Sequence, residues 1–234
     1  MLNFLGIGAQ KCGTSWLYSA LAKHPRIAFP GGKEIHFWNR PEARSLDWYS
    51  KLFLDPGRIN GEITPAYGIL PAAIIKSIYS NYPQLRLIYL IRNPIERAWS
   101  SARMALGRAE MTHEEASDQW FIDHFHSQGS LQRGDYESCI RRWRCAYPVD
   151  QLLVLRYEMI VSQPINLINA CLNHLGLEDC LLSQDTDVLT NKIFEGDGEE
   201  IRPRLVEALS HIYSNQIDSL SQYLDQDFSK WKPV

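Results

Sequence analysis

Short, unbroken apolar runs alternate along this chain with longer stretches in which apolar residues recur at helical spacing. Residues 4–8, 26–29, 58–62, 86–91 and 151–156 are the runs, and Arg86-Leu-Ile-Tyr-Leu-Ile91 is the most strongly apolar. Runs that do not alternate with polar residues fit strands covered on both faces, as in a parallel sheet. Helical spacing marks 14–23, 46–54, 70–82, 94–106, 164–174 and 203–224. The punctuation agrees: His24-Pro25 closes the first helix and Pro30-Gly31-Gly32 the second strand, Pro94 and Pro164 stand as first helical residues, and Gly176 is a stop. Residues 107–147 read as polar and helical, and 177–202 as irregular, acidic and glycine-containing. Strands alternating with helices predict a three-layer α/β domain with a central, mostly parallel sheet flanked by helices. With no repeat, low-complexity tract or linker, the expectation is one domain over 1–234.

The first strand runs into Gly8-Ala-Gln-Lys-Cys-Gly-Thr-Ser-Trp-Leu17. A strand, a glycine-containing turn and a helix start make a phosphate cradle. Backbone N–H groups at the helix N-terminus point at an anion, the helix dipole favours it, and glycine lets the backbone come close. Lys11 adds a charge, Thr14 and Ser15 add hydroxyl donors, and Cys12, Gly13 and Trp16 complete the turn. The nucleoside-triphosphate loop requires lysine directly after its last glycine, whereas Lys11 precedes Gly13 by two residues. An ordinary β–α turn with a solvent lysine has the same local pattern.

A second helix start of this kind follows the strongest strand. In Arg92-Asn-Pro-Ile-Glu-Arg-Ala-Trp-Ser100, Arg92 stands at the carboxyl end of a strand, and Ser100 lies about two helical turns further on. Ligands of open α/β sheets bind at that edge. An arginine fork and a serine hydroxyl are suited to clamp a phosphate.

Charge and composition narrow the classes. The net charge of −3 gives no global field for nucleic acid, so an anionic ligand must be held by local cations. The five cysteines are odd in number and contain no C-x-x-C, which argues against a disulfide framework or zinc site and for a reducing compartment. No apolar stretch is long enough to span a membrane, and the first residues read as a strand rather than a leader. A cytoplasmic protein is expected. His113-Glu114-Glu115 and His124-Phe125-His126 do not form a convincing ligand set, so no metal is expected.

The order Lys-x-Gly-Thr-Ser-x-Leu at 11–17, with Arg-Asn-Pro at 92–94 and serine at 100, resembles the sulfotransferase superfamily. Lys33-Glu-Ile-His-Phe-Trp38 and Gly61-Glu-Ile-Thr-Pro-Ala-Tyr67 resemble segments of its heparan-sulfate-type and bacterial members. Tyr136, Trp143, Tyr157-Glu158, Leu175-Gly-Leu177 and Phe228-Ser-Lys-Trp231 extend the similarity over nearly the whole chain. The resemblance implies a P-loop-like fold and a donor, 3′-phosphoadenosine 5′-phosphosulfate (PAPS), whose product is 3′,5′-adenosine bisphosphate (PAP). It implies Lys11, Cys12, Gly13, Thr14, Ser15 and Trp16 at the 5′-phosphosulfate and Arg92 with Ser100 at the 3′-phosphate, which a late segment holding Lys192 and Arg202 closes over.

The resemblance also implies the chemistry. The donor must lie in line with a hydroxyl or amine acceptor, the leaving oxygen must be stabilised, and the acceptor must lose a proton. Lys11 falls at the leaving group, Glu34 at the base, and His36 two residues on, where it orients Glu34 or touches the acceptor. Taken as bare residues, Glu34 and His36 fit a charged surface loop better than a catalytic pair. The departure is Ile63, where the family often has lysine. It shifts the burden to Lys11, with Lys33 a possible substitute, and puts a highly anionic glycan acceptor in doubt. A small molecule or glycan is the acceptor class, and the oligomeric state is not legible. Two alternatives stay open: a P-loop kinase or other phosphotransferase, which lacks its Gly-Lys-Ser/Thr here, and a nucleotide-binding relative without activity.

Overall fold

The computed structural model describes residues 1–178 and 200–233. Strands β1 (Leu2–Gly8), β2 (Ile27–Ala28), β3 (Ile59–Ile63), β4 (Arg86–Ile91) and β5 (Leu152–Arg156) form one five-stranded sheet in the order β2-β3-β1-β4-β5. Every pairing is parallel, with Leu5 opposite Glu62 and Leu87, and Gly6 opposite Ile63 and Ile88. The unbroken apolar runs are explained by cover on both faces: every residue from Leu87 to Ile91 is buried. Each such side chain contributes about 1.5–3 kcal/mol.

Helices α1 (Thr14–Leu21), α2 (Leu46–Lys51), α3 (Ala72–Asn81), α4 (Pro94–Arg108), α5 (Asp118–His126), α6 (Gln128–Gly134), α7 (Tyr136–Arg144), α8 (Met159–Ser162), α9 (Pro164–His174) and α10 (Pro203–Leu224) surround it, with 3-10 turns that include one at Pro65–Ile69. Their ends follow local chemistry. Ser45, Asn93, Ser117 and Ser127 each accept a first-turn N–H. Gly176, at φ 70°, follows α9 in the left-handed conformation of a helix stop. The polar stretch 107–147 is helical as expected and holds α5, α6 and α7, with Ser117 and Ser127 starting the first two. The 3-10 turn and α8 are not among the sequence expectations; both are too short for a periodic signal.

The described residues divide into two compact units, 1–91 with 141–178 and 92–140 with 200–233. The first holds the whole sheet, with α1 packed on α9. The second is helical: α10 packs on α4 and α5. Arg97 is fully buried there, and its guanidinium donates to the Ser130 carbonyl and hydroxyl and to the Tyr213 hydroxyl. No helix among the described residues is long and apolar enough to cross a membrane.

Candidate active site

The turn after β1 is built from within the first unit. Ala9 N–H donates to the Leu90 carbonyl at 2.7 Å, and Cys12 N–H returns to the Ala9 carbonyl at 3.2 Å. Lys11 is half-buried and takes φ 70°, a left-handed conformation that a lysine avoids unless its surroundings impose it. Gly13, at φ 84°, is the N-cap of α1 and supplies no side-chain cap. A Cβ on Gly13 would stand 2.3 Å from Ile160 Cδ1 and 3.0 Å from the Tyr157 ring, so α8 and the residue leading into it brace this turn. Thr14 is buried and Ser15 half-buried in the first turn of α1. Trp16 and Cys12 are buried, and the Cys12 thiol leans on the Gln10 carbonyl at 3.9 Å. A tight glycine, an uncapped helix start and a lysine held at positive φ fit a phosphate group.

Residues 33–39 form a second strained turn in the same unit. Glu34 N–H donates to the Ile63 carbonyl at 3.0 Å, which ties the turn to the end of β3. Glu34 and His36 sit at φ 64° and 61°. Five non-glycine residues have positive φ among the described residues, and Lys11, Glu34 and His36 are three of them. The side chains converge: Lys33 Nζ pairs with Glu34 Oε1, His36 Nε2 lies 3.4 Å from Glu34 Oε2, and His36 Nδ1 lies 3.1 Å from Asn39 Oδ1. Burial pushes Glu34 upward, but Lys33 and then His36 outweigh it and hold the carboxyl below its ordinary value. Pairing keeps Glu34 in the ionised form a base needs, at some loss of basicity. Lys33 is thereby engaged with Glu34. Ile63 itself is fully buried, and its side chain fills the space over Gly6, where a Cβ would meet it at 2.7 Å.

Beside this turn lies a carboxylate for which the sequence reading has no role. Glu62 is fully buried in β3. Tyr49 donates to its Oε2, while Thr64 and Tyr67 hydroxyls each donate to Oε1 at 2.7 Å. Burial pushes Glu62 above its ordinary value, although these three donors favour the ionised form. Burial and then the Glu62 carboxylate push Tyr49 and Tyr67 upward, so both stay protonated donors. One signal was available in the sequence: a glutamate inside a strand covered on both faces must find partners.

In the second unit, Arg92 Nε and Nη2 reach Glu96 Oε2 at 3.0 and 2.8 Å. Glu96 and Ser100 follow at successive helical turns, so the three lie along one edge. Ser100 is half-buried. The arginine fork is thus oriented by a half-exposed carboxylate. Arg202 is engaged elsewhere in this unit, on Asp118 Oδ1 at 2.7 Å and on the carbonyls of Ala116 and His113. Lys192 lies outside the described residues. Trp99 is buried against Phe121, with ring centroids 5.1 Å apart.

Residues 3–193 match the family model for the sulfotransferase domain, and the chain belongs to that family. Relatives include the membrane-associated sulfotransferase kil1 of Dictyostelium discoideum, 31% identical over 59% of this chain and 30% of that protein. Human heparan sulfate glucosamine 3-O-sulfotransferase 3B1 is 29% identical over 74% of this chain and 45% of its own length. The chain therefore spans less than half of these curated relatives. A sulfotransferase from Alicyclobacillus acidocaldarius superposes with a TM-score of 0.76 over 100% of this chain and 99% of that one, at 24% identity. Mouse sulfotransferase SULT7A1, solved with PAP, gives 0.59 over 96% and 88% at 15% identity. The expected P-loop-like parallel sheet flanked by helices is the fold found. The kinase alternative is not favoured.

Proposed function

We propose that this chain transfers a sulfuryl group from PAPS to a hydroxyl or amine, with a carbohydrate hydroxyl as the preferred acceptor class. Lys11, with the N–H groups of the turn and the hydroxyls of Thr14 and Ser15, holds the 5′-phosphosulfate. Arg92 and Ser100 hold the 3′-phosphate. Glu34 accepts the acceptor's proton as the acceptor oxygen bonds to sulfur. The bond from sulfur to the bridging oxygen breaks, and its electron pair leaves with the 5′-phosphate, where Lys11 stabilises the charge. His36 orients Glu34. The observation that carries this reading is the positive φ shared by Lys11, Glu34 and His36. Backbone strain of this kind costs about 1–3 kcal/mol per residue and gathers at functional sites. Ile63 supports a second reading, a donor-binding protein without transfer activity, because it puts an apolar side chain where many relatives have a cation.

The test has two arms. Calorimetry with PAP and ATP is expected to show binding of PAP that ATP does not compete; equal competition by ATP overturns the donor assignment. Radiolabelled PAPS with heparan sulfate, with uncharged oligosaccharides and with simple hydroxyl and amine acceptors is expected to label a carbohydrate without added magnesium. Tight PAP binding with no transfer to any acceptor favours the second reading.

A further inference from the structure

We propose that Glu62 is a positioning residue for this reaction: its buried carboxylate, through the Tyr67 hydroxyl, holds the Glu34–Trp38 turn in the conformation that presents Glu34 and His36. The inference rests on the reading of those two residues as the acceptor-side groups.

Both ends of the turn are fastened beside Glu62. At the start, Glu34 N–H bonds to the carbonyl of Ile63, the next residue of β3. At the far end, Trp38 N–H donates to the Tyr67 hydroxyl at 3.3 Å, and the same hydroxyl donates to Glu62 Oε1 at 2.7 Å. Tyr67 is itself anchored, because Trp143 Nε1 donates to its carbonyl at 3.3 Å. The rings agree with this arrangement. Phe37 stacks on Tyr49 at 4.3 Å and 11°, Trp38 meets Tyr49 edge-on at 5.5 Å, and Tyr49 donates to Glu62 Oε2.

Stability alone does not account for this construction. A leucine at 62 and a phenylalanine at 67 would fill similar space without taking a carboxylate out of water, and such apolar replacements are often neutral or stabilising. What apolar side chains lack is an acceptor for the Trp38 N–H and a fixed direction for the Tyr67 hydroxyl. Glu34 and His36 keep left-handed backbone conformations between these two anchors, and such conformations persist only where the surroundings over-determine them.

The experiment compares wild type with Tyr67→Phe, Glu62→Gln and a control, Tyr82→Phe. Tyr82 belongs to the same aromatic cluster, 6.4 Å from both Trp38 and Tyr49, but its hydroxyl bonds to Ser50. Three quantities are read: amide hydrogen exchange of the peptide over 33–39, the Kd for PAP, and kcat for transfer from PAPS to heparan sulfate. Losing the bridging hydroxyl removes both of its hydrogen bonds, of which the one from Trp38 N–H fastens the turn, so Tyr67→Phe is expected to speed exchange over 33–39 about tenfold. Misplacing the reacting groups is expected to lower kcat about tenfold or more, with the PAP Kd within twofold. Glu62→Gln keeps an oxygen for Tyr67 and falls between Tyr67→Phe and wild type. Tyr82→Phe matches wild type in all three. Exchange and kcat in Tyr67→Phe that match those of Tyr82→Phe overturn the proposal, as does a PAP affinity that falls in step with kcat. A wild type that neither binds PAP nor moves a sulfuryl group sinks the functional reading by itself, and exchange over 33–39 then still decides whether the hydroxyl holds the turn.

Discussion

Glu34 and Glu62 lie in adjoining segments of the same unit, and their surroundings are opposite. Glu34 is partly exposed and meets two basic partners, Lys33 and His36. Glu62 has no exposed surface and meets only hydroxyls. Lys33 and then His36 hold Glu34 below its ordinary value, whereas burial drives Glu62 above it. One residue type thus meets two environments: a carboxyl kept ionised near the surface, and a buried one whose charge is costly and whose geometry three hydroxyls fix.

The largest expected effect separates activity from folding at Glu34. Glu34→Gln should lower kcat about 10²–10⁴-fold, the usual contribution of a general base, while urea unfolding changes by less than about 0.5 kcal/mol. A variant that transfers normally removes Glu34 from the chemistry and breaks the contrast. Glu62→Ala should do the reverse to stability: three buried hydroxyls lose their acceptor, and unfolding in urea should show a loss of about 3 kcal/mol or more.

The cations beside Glu34 give the next effect. In Lys33→Ala the carboxyl returns toward its ordinary value, so the acid limb of the kcat/KM–pH profile should move upward. An unmoved limb means that a different group titrates there. Stability should also respond with opposite signs. Glu62, raised by burial, contributes stability that is present below the ordinary carboxylate value and is lost as pH rises; Glu34, depressed, contributes stability that is present above that value and is lost as pH falls. Compared with Glu62→Gln, the wild type should lose stability as pH rises from about 4.5, and thermal unfolding across pH checks the slope. The smallest effect concerns a third glutamate. Glu96 occupies the Arg92 fork, and an exposed pair of this kind is worth about 0–1 kcal/mol. Glu96→Gln should therefore tighten PAP binding by up to about fivefold at low salt, as read by calorimetry.

Much of the scaffold was legible because its signals are local. The strand Arg86–Ile91 and the helices starting at Pro94, Pro164 and Pro203 agree with the expected ranges, since unbroken apolar runs and proline at the first helical turn leave few alternatives. The Lys11 turn was legible for the same reason: glycine and lysine at fixed offsets after a strand already imply the geometry. What stayed hidden depends on pairings between residues distant in sequence. The resemblance marked the segment containing Glu62 as familiar, but nothing near it in sequence names Tyr49 as its partner. The brace at Gly13 comes from Ile160 and Tyr157, at the far end of the same unit's sequence. The Arg92–Glu96 pair was readable from its spacing of four, yet phosphate recognition absorbed the arginine first.

The central place of β1 has a bearing on how the molecule is made. Its neighbours, Ile59–Ile63 and Arg86–Ile91, leave the ribosome well after it does. Until both arrive, an apolar segment waits with two unsatisfied edges, a state prone to sticking to other nascent chains. The lysine bend downstream of that segment gains one of its fastenings, from the Ala9 amide to the Leu90 carbonyl, only after Leu90 is made. A short peptide copied from this bend would therefore be expected to lack anion affinity, and slow synthesis or a helper chaperone should matter more for yield than the sequence of the bend itself.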